Sequence, residues 1–256
     1  MRRLRRPADD SRCLFVCGQQ RSGTTMMMRV LQIHPDTEVF HELVDSPAFR
    51  SYCLRDLETL DRLVARSRAR LVCFKPLMDS HRAGELLAHF PESRVLWMLR
   101  HYTDVANSTL RRFADPNVNL RRILEGRSGG EGLRREISSQ SLDILGEVHR
   151  PDLSEFDLAC LRWWTRNRIV LEQRLDEHPR FRLQAYEDLV QAGRPAVEDV
   201  LAWAGLEATP RATRHVHARS VRKEPAPDLD PAVRELCDGL HRELVSRTFE
   251  RRADPA

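Results

Sequence analysis

The chain has 256 residues, with 42 Lys and Arg against 38 Asp and Glu for a formal charge of +4, and it is long enough to bury a full hydrophobic core. Hydrophobic residues make up 41% and charged residues 31%, a balance that excludes an intrinsically disordered chain, and no apolar run approaches the ~18 residues of a membrane span. The net charge is too small to imply nucleic acid. Of the cationic residues 40 are Arg and only two are Lys, Lys75 and Lys223, so both lysines invite inspection.

The basic start, residues 1–6, runs into Pro7-Ala8-Asp9-Asp10 where a secretory signal would have its apolar segment. Apolar runs at 13–17, Leu71–Phe74 and 95–99 then each lead through a polar turn into a helical pattern, and further strands are predicted at Thr37–Phe40 and Phe181–Ala185. Helices are predicted over Thr24–Ile33, 54–67, 82–89, 103–112, 155–175 and 195–203. This alternation is the pattern of βαβ units on a parallel sheet. In the long 155–175 helix, Phe156, Ala159, Cys160, Trp163, Val170 and Leu171 share one face and read as core. Residues 115–132 are polar and Arg-rich and end near Gly129-Gly130, the composition of a mobile insertion or lid. Pro225, Pro227 and Pro231 precede a last helix at 232–249. The expected organisation is one domain over 1–256, with its core at 13–225 and a helical extension at 226–256. Cys13, Cys17, Cys53, Cys73, Cys160 and Cys237 show neither CxxC nor zinc spacing, so no disulfide framework and a cytoplasmic location are expected.

The first strand ends in Gly18-Gln19-Gln20-Arg21-Ser22-Gly23-Thr24-Thr25. A strand, a glycine-bounded loop and a helix start turn successive backbone N–H groups toward an anion, and the helix N-terminus adds about half a positive charge. The spacing is that of a P-loop, G-x4-G-K-[ST], but Thr24 stands where the Lys belongs. A nucleoside triphosphatase needs that Lys and a Walker-B Asp for magnesium, whereas the 94–99 strand here ends in Arg100. Arg21 supplies the positive charge instead, pointing to a phosphate-bearing donor held without metal.

The segment 21–25 resembles the phosphosulfate-binding loop of sulfotransferases that use 3′-phosphoadenosine 5′-phosphosulfate (PAPS). The RSGTT form and the following His34-Pro35 are similar to the branch of tyrosylprotein and bacterial carbohydrate sulfotransferases. The resemblance implies an α/β, three-layer P-loop-type fold with a mostly parallel central sheet flanked by helices. It also implies that Arg21, Ser22, Gly23, Thr24 and Thr25 hold the 5′-phosphosulfate. Arg100 and Ser108 match the family's Arg-x7-Ser motif for the 3′-phosphate, with Arg112 a third candidate, although His101-Tyr102 departs from the usual Asp-Pro or Asn-Pro. Chemically, a bidentate guanidinium and a hydroxyl two helical turns on suit a second phosphate.

Glu42 follows Val39-Phe40 at a strand's carboxyl end, where ligands of open α/β sheets gather. A carboxylate there can take the proton of an attacking hydroxyl. The similar tyrosylprotein branch carries its catalytic Glu twenty-one positions after the loop Arg, the register of Glu42, while His41 is the alternative base. Lys75 ends the Leu71–Phe74 strand before Pro76, and the resemblance implies that it steadies the leaving oxygen. Tyr186-Glu187-Asp188-Leu189-Val190 resembles the family's YEDLV segment and puts Tyr186 near the adenosine. The segment 219–223, with Lys223, either closes over the 3′-phosphate or is a solvated charge run.

The expected reaction is sulfuryl transfer from PAPS to a hydroxyl, or an amine, with no metal. The expected partner is a carbohydrate, glycolipid, phenol or secondary metabolite; the readable elements give no oligomeric state. The acceptor pocket is expected from 45–56, the 78–82 turn and the 115–132 insertion. The alternatives are a P-loop kinase using ATP, a non-catalytic phosphoadenosine binder, and nucleic-acid binding through the basic termini.

Overall fold

Alternation along the strands explains the layers. In β1 (Arg12–Gly18), β5 (Leu71–Phe74) and β6 (Arg94–Leu99), the odd positions Cys13, Phe15 and Cys17 share one core cluster with Val72, Phe74, Val95, Trp97 and Leu99. The intervening Leu14, Val16, Leu71, Cys73, Leu96 and Met98 belong to a second cluster. Both faces are apolar because successive side chains point to opposite sides and both sides are covered, as parallel sheets require. With β2 (Thr37–Phe40) and β7 (Phe181–Ala185) the strands form one five-stranded sheet in the order β2-β5-β1-β6-β7, every neighbouring pair parallel. The computed structural model describes residues 12–115, 117–126, 130–209, 216 and 227–253.

One face carries α1 (Thr24–Ile33), α9 (Tyr186–Ala192) and α10 (Arg194–Trp203), through Met27, Met28, Val30, Leu31, Leu189, Val197, Val200 and Leu201. The other carries α2 (Leu57–Arg66), α3 (Ala83–His89), α4 (Tyr102–Leu110), α8 (Glu155–Glu172) and α11 (Pro231–Ala253). The strands and helices expected from the sequence are therefore all present, with ends shifted by a few residues. α8 starts at a capping box in which Ser154 and Asp157 satisfy each other's backbone N–H. Trp97 Nε1 donates to Asn167 Oδ1 at 2.9 Å, and Trp163 Nε1 to the Arg100 carbonyl at 2.9 Å, so this helix is pinned to the end of β6. In α11, Val233, Cys237, Leu240 and Leu244 are buried on one stripe at three- and four-residue spacing. The Tyr102 hydroxyl donates to Asp238 at 2.8 Å. The C-terminal helix is thus part of the packed layer.

Residues 115–132 differ from the expected mobile lid. Their described part forms α5 (Val118–Leu124) and the start of α6 (Glu131–Arg135), and Leu120 and Ile123 are buried in the core facing α8. Two apolar residues at helical spacing outweigh the polar, Gly-rich composition around them. α7 (Ser139–Val148) follows, capped by Ser138. Also unforeseen is the hairpin of β3 (Phe49–Arg50) and β4 (Cys53–Leu54), whose tip residues Ser51 and Tyr52 both have positive φ, 50° and 67°. Two-residue hairpin turns of this type ordinarily use Asn and Gly, so the sequence carries no turn signal there.

At the centre of the sheet Phe15 stacks on Phe74 at 5.4 Å, and Phe74 on Phe40 at 5.3 Å. Phe74→Ala removes the middle of this stack and is expected to cost about 3–5 kcal/mol in urea unfolding.

Candidate active site

The carboxyl ends of β1, β2, β5 and β6 open into one cavity of about 900 Å³, at the sheet edge where α/β proteins bind ligands. The loop between β1 and α1 forms its floor. Gly18 has φ 126°, and a Cβ there would stand 2.6 Å from the Met98 carbonyl oxygen. Gly23 has φ 91°, and a Cβ would meet the Tyr186 ring at 2.3 Å. Only glycine fits either position. The Ser80 hydroxyl locks the loop's start: it accepts from Gly18 N–H at 3.1 Å and lies 3.0 Å from the Pro76 carbonyl. Gly23 caps α1 with no side-chain hydrogen bond, so the first-turn amides of that helix have no intrahelical acceptor and face the cavity floor. Ser22 is buried, and its Oγ has no hydrogen-bond partner among the described residues.

Three residues far apart in sequence meet here. Arg21 Nε donates to Ser108 Oγ at 2.9 Å, and Arg100 Nη1 donates to the Arg21 carbonyl at 3.2 Å. Arg100 also pairs with Asp104 at 3.1 Å, and its guanidinium lies 4.7 Å over the Tyr186 ring. Burial, together with repulsion from Arg112, Arg100 and Arg111, pulls the Arg21 pKa below its ordinary value. Such a gathering of like charges favours a bound anion. Arg21, Gly23, Thr24, Thr25, Arg100, Ser108, Arg112 and Tyr186 all line the cavity, as do Glu42 and Lys75.

Glu42 Oε1 accepts the Met78 N–H at 2.9 Å. Burial pushes its pKa up from 4.5 to about 7, opposed by the Met78 N–H and by the charges of Lys75 and Arg166. Lys75 Nζ reaches Thr25 Oγ1 at 3.4 Å; burial lowers its pKa while Glu42 raises it. His41 lies outside the cavity lining and contacts Gln32 Oε1 at 3.4 Å, with its pKa lowered by burial and by Lys75 and Arg29. Of the two residues foreseen as a base, only Glu42 is brought to the cavity. Lys223 and 219–223 lie outside the described residues.

Tyr52 and Met78, from two of the three segments expected to build an acceptor pocket, line the cavity; no described residue of 115–132 does. Residues that the motifs did not flag complete the site. Arg162 Nη2 donates to Gln20 Oε1 at 2.6 Å, and Arg166 Nη1 approaches the Met78 carbonyl at 3.4 Å. They sit one turn apart on α8, a helix otherwise buried by apolar residues, and cations on such a face must be answered by partners. That pattern was available in the sequence.

The family model described as sulfotransferase domain matches residues 11–225 of the chain. A search of curated protein sequences returned no match. Among solved structures, the chain is similar to a sulfotransferase from Alicyclobacillus acidocaldarius, with 19% identity and a TM-score of 0.51 over 99% of this chain and 98% of that one. It is also similar to mouse sulfotransferase SULT7A1 complexed with PAP, with 13% identity and a TM-score of 0.50 over 96% and 89%.

A carboxyl whose folded pKa exceeds its unfolded value binds an extra proton in the folded state, so stability falls as pH rises from about 4.5 through about 7. Glu42→Gln removes that penalty. Its gain in Tm over the parent protein is expected to be larger at pH 8 than at pH 4.5; equal gains at both would contradict the burial effect.

Proposed function

The chain belongs to the sulfotransferase domain family and is a transferase of sulfuryl groups, and from that premise we propose that its donor is PAPS and its acceptor a hydroxyl. The observation that carries this reading is the meeting in one cavity of the loop, the Arg21–Ser108–Arg100 clamp, Lys75 and Glu42. The residues fit such a donor: an orphaned Ser22 hydroxyl lies in the loop, and the clustered guanidinium groups suit two separate phosphates. The PAP named with the mouse relative is what PAPS leaves after losing its sulfuryl group.

In this reading the 5′ end lies against Arg21, Ser22, Gly23, Thr24 and Thr25, and the 3′-phosphate against Arg100, Ser108 and Arg112. Tyr186, wedged between Gly23 and Arg100, braces both and borders the adenosine. When bound, PAPS supplies an electrophilic sulfur, whose bond to the bridging phosphate oxygen breaks as the acceptor oxygen bonds to it. Glu42, anchored through Oε1 by the Met78 amide, takes the acceptor's proton on Oε2. Lys75 Nζ and Arg21 answer the negative charge that collects on the departing side. Arg166 keeps a positive charge behind Glu42, which helps a half-buried carboxyl reach its charged, proton-accepting form. A cytoplasmic setting would keep its six free thiols reduced.

Calorimetric titration with PAP, ATP and ATP–Mg²⁺ tests the donor. PAP is expected to bind tightest, and Arg100→Ala to weaken it by about tenfold to a hundredfold, the worth of a charged hydrogen bond, in a variant that still melts cooperatively. Tighter ATP–Mg²⁺ binding that ignores Arg100→Ala would overturn the assignment. For the base, Glu42→Gln is expected to lower kcat by about 10²- to 10⁴-fold while PAP affinity stays within a few fold. Because the base must be ionised, kcat/KM in the parent protein rises with pH and levels off above about 7. An activity independent of pH between 5 and 8, or full activity in Glu42→Gln, points to another base.

A further inference from the structure

Among the described residues, large hydrophobic side chains more than a third exposed are Leu43 at 50%, Val44 at 59%, Tyr52 at 49% and Phe113 at 37%. Two of the four, Tyr52 and Phe113, line the cavity, and the other two, Leu43 and Val44, lie outside its lining and directly follow Glu42. Their display is built into the backbone. Tyr52 N–H donates to the Leu43 carbonyl at 3.1 Å and Ser51 N–H to the Val44 carbonyl at 2.6 Å, which ties the hairpin tip to the segment that carries Glu42. Asp79 Oδ2 accepts from Leu54 N–H at 2.6 Å, and Arg55 bonds Asp45 at 2.5 Å and the Ser46 carbonyl at 2.9 Å. The whole unit is therefore fixed relative to the base. Ser51 and Tyr52 hold positive φ without glycine, a strained conformation for both residues, and it keeps an aromatic ring at the cavity mouth.

The walls beside Glu42 continue the same chemistry through Leu77 and Met78. Outside the donor loop and the arginine clamp, the described lining offers Arg29, Lys75, the Tyr52 hydroxyl and a single carboxylate, Glu42, but no Asn, Asp, Ser or Thr. The one lining amide, Gln20, is engaged: its carbonyl accepts from Arg162 and its Nε2 lies 3.8 Å from Met78 Sδ. A sugar needs several directed hydrogen bonds to replace its water, and leaving them unmade is costly. A hydrocarbon or aromatic skeleton needs only apolar wall.

We propose that the acceptor is an alcohol on an apolar skeleton, seated on Tyr52, Leu77 and Met78 with its hydroxyl at Glu42, and not a carbohydrate. This rests on the sulfotransferase reading above. Exposed apolar patches of this kind mark binding sites, and this one is continuous with the base. Tyr52 sets specificity: it touches the skeleton and takes no part in the proton transfer.

The test separates the two levels. The PAP-loaded protein is titrated calorimetrically with 2-naphthol, 2-decanol and N-acetylglucosamine, and transfer from ³⁵S-labelled PAPS to each is measured. Both apolar alcohols are expected to bind the PAP-loaded protein, and at least one to be sulfated with a kcat/KM tenfold or more above that of the sugar. Tyr52→Ser, and separately Leu77→Ser, should lower apolar-alcohol affinity about tenfold with PAP affinity unchanged. If PAP itself fails to bind, the donor assignment falls and this inference with it. If PAP binds but neither apolar alcohol does, if the sugar is preferred, or if both variants bind the apolar alcohols unchanged, this inference alone is overturned.

Discussion

Gly18 and Met98 are register partners on adjacent parallel strands, so close that a methyl group on the first would strike the carbonyl oxygen of the second at 2.6 Å. That contact sets where the chain leaves β1 and therefore where the following loop sits above the sheet. From it the rest of the site is placed: Ser80 ties the Gly18 amide to the turn after β5, and Tyr186 at the end of β7 closes against Gly23. Arg100, two residues beyond Met98, reaches back to the Arg21 carbonyl. The loop is shaped by backbone contacts with its two neighbouring strands, and its arginine is set by Ser108 from the next helix.

Electrostatics in the cavity are arranged by competition between burial and charge. Burial raises the Glu42 pKa and lowers that of Lys75, and each counters the effect of burial on the other. Arg166, approached from α8, adds positive charge behind Glu42, while Asp79 opposes it. The result is a carboxyl poised near neutrality, the range in which a group can both accept and release a proton. Across the cavity, Arg112, Arg100 and Arg111 repel Arg21, and that gathering of positive charge favours a polyanion. One side of the cavity is thus prepared for charge and the other for a proton.

The parallel sheet was legible because interior strands of this kind are continuous apolar runs bounded by turns, and Leu14-Phe15-Val16-Cys17 and Leu71-Val72-Cys73-Phe74 are such runs. The donor loop was legible because glycine spacing is a backbone requirement written directly in residue types. Arg100 and Lys75 stand at strand ends, Ser108 came from the resemblance to the Arg-x7-Ser motif, and the cavity gathers all three. What local pattern could not reveal were features fixed by tertiary contact. The Ser51-Tyr52 turn has no glycine and exists because the 43–44 carbonyls and Asp79 hold the hairpin. α5 lies in a stretch whose composition argues for a loop, and its Leu120 and Ile123 acquire meaning only against α8. Arg162 and Arg166 differ: cations on an otherwise apolar helix are a local signal, masked here by the abundance of 40 arginines.

The same two α8 arginines explain how a charged and an apolar surface can share one cavity without spoiling each other. A guanidinium placed openly beside Tyr52 and Leu77 would draw water to that apolar wall. Arg162 and Arg166 instead bond Gln20 and the Met78 carbonyl, so the charge of Arg166 reaches Glu42 while Met78 lines the cavity. Met78 is the pivot of this arrangement: its amide anchors Glu42, its carbonyl receives Arg166, and its thioether lies beside the Gln20 amide. A single residue at the turn after β5 thereby couples the loop to the base, leaving an apolar side chain on the face between them.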